Sequence, residues 1–140
     1  MTEARRLGGI LPIVPTIFGD AGQVDEAGQR ATVDVLLRGG VQGLVVLANA
    51  SEGFAVSEDE RPRVVTCVVQ QVEGRVPVVV TCNHPSTVVA VRYALEAQDL
   101  GAAGVMFLPP FFGQWTSDLD GIFRHCEAIS RRTVVPLILQ

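Results

Sequence analysis

An α/β fold of parallel βα units is predicted by two observations: short, wholly apolar runs at regular spacing, and capped amphipathic stretches between them. The runs lie at 10–14, 44–47, 76–80, 105–108 and 134–139. Each has strand length and lacks polar alternation, as expected of a parallel sheet buried on both faces. They recur roughly every 30 residues, the size of one βα step. Five strands are expected, in the order β-α-β-α-β-α-β-α-β with right-handed crossovers. Pattern alone leaves a doubly wound sheet and a (β/α) barrel both open. A full eight-unit barrel takes about 250 residues and rarely fewer than 200. As a barrel, the 140 residues would form one partial domain, 1–140, ending after about the fifth strand.

The helices announce their ends. Asp25 is placed to cap a helix running to Arg38, with Ala31, Val35 and Leu36 on one face and Gly39-Gly40 to stop it. Ser57 and Glu60 have capping-box spacing. Pro62 lacks an N–H, so a late start or a kink is expected there, with Val64, Val65, Val68, Val69 and Val72 facing the sheet. Ser86 or Thr87 opens the next helix, which buries Ala90, Val91, Ala94, Leu95 and Ala97 and ends at Gly101. Ser117 opens a fourth, carrying Ile122, Phe123, Cys126 and Ile129.

Composition narrows the function. The chain is 48% apolar and 19% charged with a net charge of −4, which excludes disorder and argues against a nucleic-acid or anionic-membrane partner. No apolar run approaches the roughly 18 residues of a membrane span. Cys67, Cys82 and Cys126 form no CxxC pair, and the start MTEARRLGG lacks a secretory core, so a reduced cytoplasm is expected. All eleven basic residues are Arg, and no Lys is present. No cofactor motif is found: G-x-G-x-x-G, the P-loop and the G-x-S-x-G elbow are all missing.

In either architecture function lies beyond the C-terminal strand ends. That rule selects Pro15-Thr16, the segment 48–53, the segment 81–84, the segment 109–112, and Gln140. Segment 48–53 offers backbone amides and the Asn49 and Ser51 side chains to an anion such as a carboxylate; the alternative is an ordinary turn satisfying its own backbone. His84 suits general acid–base work, or it caps the following helix; with Cys82 it makes too few ligands for a metal. His125 is expected at or near the surface. Phe111 and Phe112 either wall a pocket or pack in the core. Glu58, Asp59, Glu60 and Arg61 read as a solvated helix cap.

Taken in order, GGILPIVPTIF, GQVD, GVQGLVVLANASEGFAVSEDER, GRVPVVVT, AQDLGAAGVMFLPPFF and VVPLILQ resemble the dihydrodipicolinate synthase / N-acetylneuraminate lyase family. The resemblance spans almost the whole chain and implies a (β/α)8 barrel lyase acting on 2-keto acids through a lysine Schiff base. The synthases hold the keto-acid carboxylate with Gly-Thr-Thr-Gly-Glu; here the matching residues are Ala48-Asn49-Ala50-Ser51-Glu52. The family's tyrosine pair is matched by Phe111-Phe112 and its general acid/base tyrosine by Gln140, neither of which relays protons as a phenol does. Dihydrodipicolinate synthesis is therefore not expected.

LANASE, VTCNH before PST, and the ILQ ending resemble the family's 2-keto-3-deoxy sugar-acid dehydratase branch, with acids such as L-2-keto-3-deoxyarabonate as substrate. The resemblance gives Asn49, Ala50 and Ser51 to the carboxylate, His84 to proton exchange near the sugar hydroxyls, and Pro12, Phe112 and Gln140 to the floor and wall. The imine lysine belongs to the sixth strand, beyond these residues, and nothing in the chain replaces it. The alternative is a non-catalytic half-barrel or association module. Open sheet edges and the family's habit imply a homo-oligomer, dimer or tetramer, or dependence on a missing C-terminal half.

Overall fold

The computed structural model describes residues 7–109 and 118–140. The strands β1 (Leu44–Val46), β2 (Val78–Thr81), β3 (Gly104–Phe107) and β4 (Leu137–Leu139) form one parallel sheet in the order β1-β2-β3-β4. Leu44 pairs with Val78, Val80 with Val105, and Phe107 with Leu139. Every residue of β1, β2 and β3 is buried, and valine dominates β1 and β2 because its branched Cβ suits a pleated surface covered on both sides.

The expected first strand needs correction. Segment 10–14 runs parallel to β1 but joins it through a single bridge, Ile13 to Val45, with Val14 N donating to Val45 O and Val45 N to Pro12 O. Pro12 and Pro15 carry no N–H, so a longer ladder has no donors there.

The helices α1 (Glu26–Arg38), α2 (Glu60–Val72), α3 (Thr87–Asp99) and α4 (Leu119–Ser130) alternate with the strands. One sheet face, with Leu44, Val46, Val78, Val80, Val105 and Phe107, packs in the core that includes Val33, Val64, Val68, Ala94 and Ile129 of the helices. The other face carries Val45, Val79 and Met106, against which Leu7, Leu11 and Ile13 pack.

Asp25 caps α1 as expected, its Oδ1 accepting from Ala27 N at 3.0 Å and Gly28 N at 3.1 Å. The buried face of α1 differs from expectation. Gln29 and Val33 are inside while Val35 is 59% exposed. Gln29 accepts from Ile17 N and donates to Pro15 O, and these two bonds to the first segment turn the helix away from its hydrophobic stripe. In α2, Ser57 N and Oγ donate to Glu60 Oε2, and Glu60 N donates to Ser57 Oγ, completing the capping box. The helix starts late, at Glu60, so Pro62 lies in the first turn, where an N–H has no intrahelical acceptor. Val91 and Leu95 of α3 are half-buried, and Tyr93 takes an inward place instead. Asp118 caps α4; the expected Ser117 lies outside the described residues. Of the apolar residues α4 carries, Ile129 is buried while Phe123 is 64% exposed.

Asp25→Ala is expected to cost about 1 kcal/mol of stability, read as a lower denaturant midpoint with an unchanged slope. An unchanged midpoint would show that the two cap bonds contribute nothing net.

Candidate functional site

The C-terminal ends of the strands share one edge of the sheet. After β1 the chain turns through a 3₁₀ turn, Asn49–Ser51, flanked by Leu47 at φ 58° and Glu52 at φ 54°, both in the left-handed region that non-glycine residues rarely adopt. Ala48 O accepts from Ser51 N, Gly53 N and Ser51 Oγ. Thr16 Oγ1 donates to Ser51 O at 2.6 Å and ties the corner to the first segment. The Ser51 hydroxyl is buried and its proton is given to Ala48 O, so it serves the turn, while Asn49 and Ala50 are exposed.

After β2, Asn83 Oδ1 accepts from Leu108 N at 2.7 Å and Asn83 Nδ2 donates to Asn49 Oδ1 at 3.5 Å, linking the ends of three strands. His84 Nδ1 accepts from Ser86 N at 2.9 Å, and the imidazole stands edge-on to Tyr93 with centroids 5.8 Å apart. That bond is the helix-capping role. It also assigns the proton of the neutral ring to Nε2.

Asn49, Asn83, His84, Arg61, Glu58 and Tyr93 are among the residues lining a cavity of about 660 Å3 at this edge. Arg61 corrects the expectation of a solvated cap. It is only 7% exposed, its guanidinium lies 4.0 Å over the Tyr93 ring, and NH2 donates to Thr81 O at 3.1 Å. Arg61 Nε and the Thr81 hydroxyl are buried without a partner among the described residues. The Tyr93 hydroxyl donates to Glu58, whose other oxygen accepts from Arg92 at 2.6 Å. The Tyr93 bond, then Arg92 and Arg61, hold the Glu58 carboxyl below its usual range. Burial first, then Glu58, pushes the Tyr93 phenol up. Arg61 lies on the 61-65-68-72 stripe that α2 buries, so helical periodicity is the signal for it; Asn83 lies in the strand-end segment 81–84, but its residue type alone gives it no role there.

The other predicted residues are dispersed. Pro12 lies in the first segment, bonded through its carbonyl to β1, and Gln140 follows β4 with its N–H on Phe107 O. Neither lines the cavity, nor do Ala50 and Ser51. Phe111 and Phe112 lie outside the described residues. His125, expected near the surface, is 3% exposed, with Nδ1 3.0 Å from Thr87 Oγ1 and its ring edge-on to Phe107. Burial pushes the Cys82 thiol up to about 12. Among the described residues no group of three His, Cys, Asp or Glu is placed to hold a metal ion, and no helix is long and apolar enough to cross a membrane.

Residues 6–140 match the model of the dihydrodipicolinate synthetase family. The chain belongs to this family. It is 42% identical over 133 residues to L-2-keto-3-deoxyarabonate dehydratase of Azospirillum brasilense, covering 94% of this chain and 43% of that one. Against 4-hydroxy-tetrahydrodipicolinate synthase of Salinibacter ruber the identity is 34% over 131 residues, with the same shares. Among solved structures, a dihydrodipicolinate synthase superposes with a TM-score of 0.90 at 26% identity, covering 95% of this chain and 45% of that one. YagE, a prophage protein of this family from E. coli K12 solved in complex with pyruvate, gives 0.85 at 27%, covering 92% and 43%. The chain thus spans under half the length of these relatives. The parallel sheet and its helices correspond to the N-terminal part of the family's barrel.

Burial, with a smaller contribution from His84, holds the His125 imidazole below its usual value of about 6.5. The unfolded chain therefore takes up a proton first as pH falls through that value, and stability falls with it. His125→Gln is expected to lose less stability than the native protein between pH 7.5 and 5.5 in denaturant titrations. Equal losses would remove His125 as the source.

Proposed function

We propose that these residues form the N-terminal part of the active-site barrel of a hydro-lyase that dehydrates a 2-keto-3-deoxy sugar acid, with L-2-keto-3-deoxyarabonate the first substrate to test. The observation that carries the reading is the corner after β1, where exposed Asn49 and Ala50 open a 3₁₀ turn at the C-terminal strand edge. It is supported by the 42% identity to a dehydratase of that acid and by a pyruvate-bound relative of the same fold.

On this reading Asn49 and Ala50 hold the substrate carboxylate through amide donors, and Ser51 keeps the turn in shape. Pro12 and Gln140, which lie off the cavity described above, are assigned to the floor and wall that a completed barrel would add, and the resemblance gives Phe112 the same role. The chain contains no Lys, so the imine that acidifies C3 forms on a residue outside these 140. A proton leaves C3, the C4–O bond breaks, and the departing hydroxyl takes a proton to leave as water. His84 is assigned to stabilise that departure: Nδ1 accepts from Ser86 N, which leaves Nε2–H to hydrogen-bond the departing oxygen, while solvent takes the C3 proton and returns one to complete the water. The ligand is a small 2-keto acid, the assembly a homo-oligomer and the compartment the cytoplasm. A non-catalytic module is the second reading, favoured by the same lack of lysine.

The native polypeptide is expected to convert L-2-keto-3-deoxyarabonate to a product one water lighter, read by mass spectrometry. His84→Ala is expected to lower kcat by about 10²-fold with the fold intact. Condensation of pyruvate with an aldehyde, without dehydration, would overturn the hydro-lyase; neither activity would favour the non-catalytic module.

A further inference from the structure

A side-chain amide has a donor end and an acceptor end, and which end meets a ligand decides whether an anion is attracted or repelled. The corner after β1 contains one such group, Asn49, exposed and on the cavity. Its orientation follows from a backbone group two strands away. Leu108 N is a donor and nothing else, and it lies 2.7 Å from one terminal atom of Asn83, which must therefore be Oδ1. The other terminal atom of Asn83 is then Nδ2, a donor, and it faces Asn49 Oδ1 at 3.5 Å. With that oxygen engaged, Asn49 keeps Nδ2 and its protons for a ligand.

We propose that Asn83 is a positioning residue that fixes the polarity of the Asn49 amide, so that the corner turns an N–H donor toward the substrate carboxylate. The order Leu108 N–H, Asn83, Asn49 runs donor to acceptor throughout, and reversing any member breaks a bond. The corner's other side-chain donor cannot substitute, because the Ser51 hydroxyl proton is spent on Ala48 O, and the Glu52 carboxylate only accepts. This inference rests on the carboxylate reading of the corner and adds to it the residue that orients the donor.

Two variants of the native polypeptide separate orientation from packing. Asn83→Asp keeps an oxygen for Leu108 N but replaces the donor with an acceptor, so Asn49 must turn its Nδ2 inward and present its oxygen to the ligand. Asn83→Ala removes both bonds and leaves Asn49 free to choose. With pyruvate as the probe, Asn83→Asp is expected to weaken binding about tenfold or more, the scale of one hydrogen bond to a charged group, and Asn83→Ala only about threefold. In an Asn49→Ala background the gap between the two is expected to close. A gap that persists there comes from the new carboxylate's charge and overturns the proposal, as does Asn83→Ala matching or exceeding Asn83→Asp.

If Asn83→Ala does not fold, the wild type still decides: pyruvate is expected to shift the Asn49 side-chain NH2 signals in nitrogen-15 spectra. A shift at Asn83 with none at Asn49, or no pyruvate binding at all, overturns the proposal. Pyruvate binding with the expected variant order, but no dehydration of 2-keto-3-deoxy acids, leaves the orientation standing and removes the hydro-lyase alone.

Discussion

Gly53 has no room for a side chain: a Cβ there would stand 2.1 Å from the Leu47 carbonyl oxygen. The rest of the candidate site depends on that close approach. β1 is buried on both faces and must leave the sheet within a few residues to feed α2. It does so by holding buried Leu47 in the left-handed region, a cost on the order of 1 kcal/mol. Three hydrogen bonds onto Ala48 O and the Thr16 bond to Ser51 O fix the resulting corner. Asn49 and Ala50 reach the surface because their neighbours Ala48 and Ser51 are locked inside.

The start of α2 shows the same economy of polar contacts. Glu60 closes the capping box with one oxygen and accepts from Val24 N with the other. The Ser57 hydroxyl first, then the backbone amides of Val24 and Ser57, hold its carboxyl below the usual range. One turn of helix thereby anchors both the corner after β1 and the segment that enters α1. Arg61, one residue on, extends inward over Tyr93 and onto the end of β2. A buried guanidinium is costly unless its charge is met. Here the ring face and the Thr81 carbonyl meet it, and the phenol hydroxyl is bonded to Glu58, whose charge Arg61 feels.

Much of this architecture was legible in the sequence because it rests on local rules. Asp25, the Ser57–Glu60 pair and the apolar runs each carry their physical meaning within a few residues, and the parallel sheet followed from them with four of the five expected strands. The misreadings arose where tertiary bonds overrode local pattern. Gln29 turned α1 through contacts made to Pro15 and Ile17, far back in the chain. His125 is buried by the neighbouring α3 and β3, and its own helix gives no sign of them. Arg61 reads as a surface charge from its charged neighbours, although its helical position puts it on the buried stripe. At the site, the strand-end rule found Asn49, Ser51 and His84, but the division of labour among them depends on bond partners 2 to 35 residues away.

On the proposed reading, the corner after β1 holds the carboxylate of a 2-keto acid. A crystal structure of the native polypeptide with pyruvate bound tests it most directly. The carboxylate is expected within hydrogen-bond distance of the Asn49 and Ala50 amides. A keto acid bound elsewhere, with the corner untouched, would contradict it.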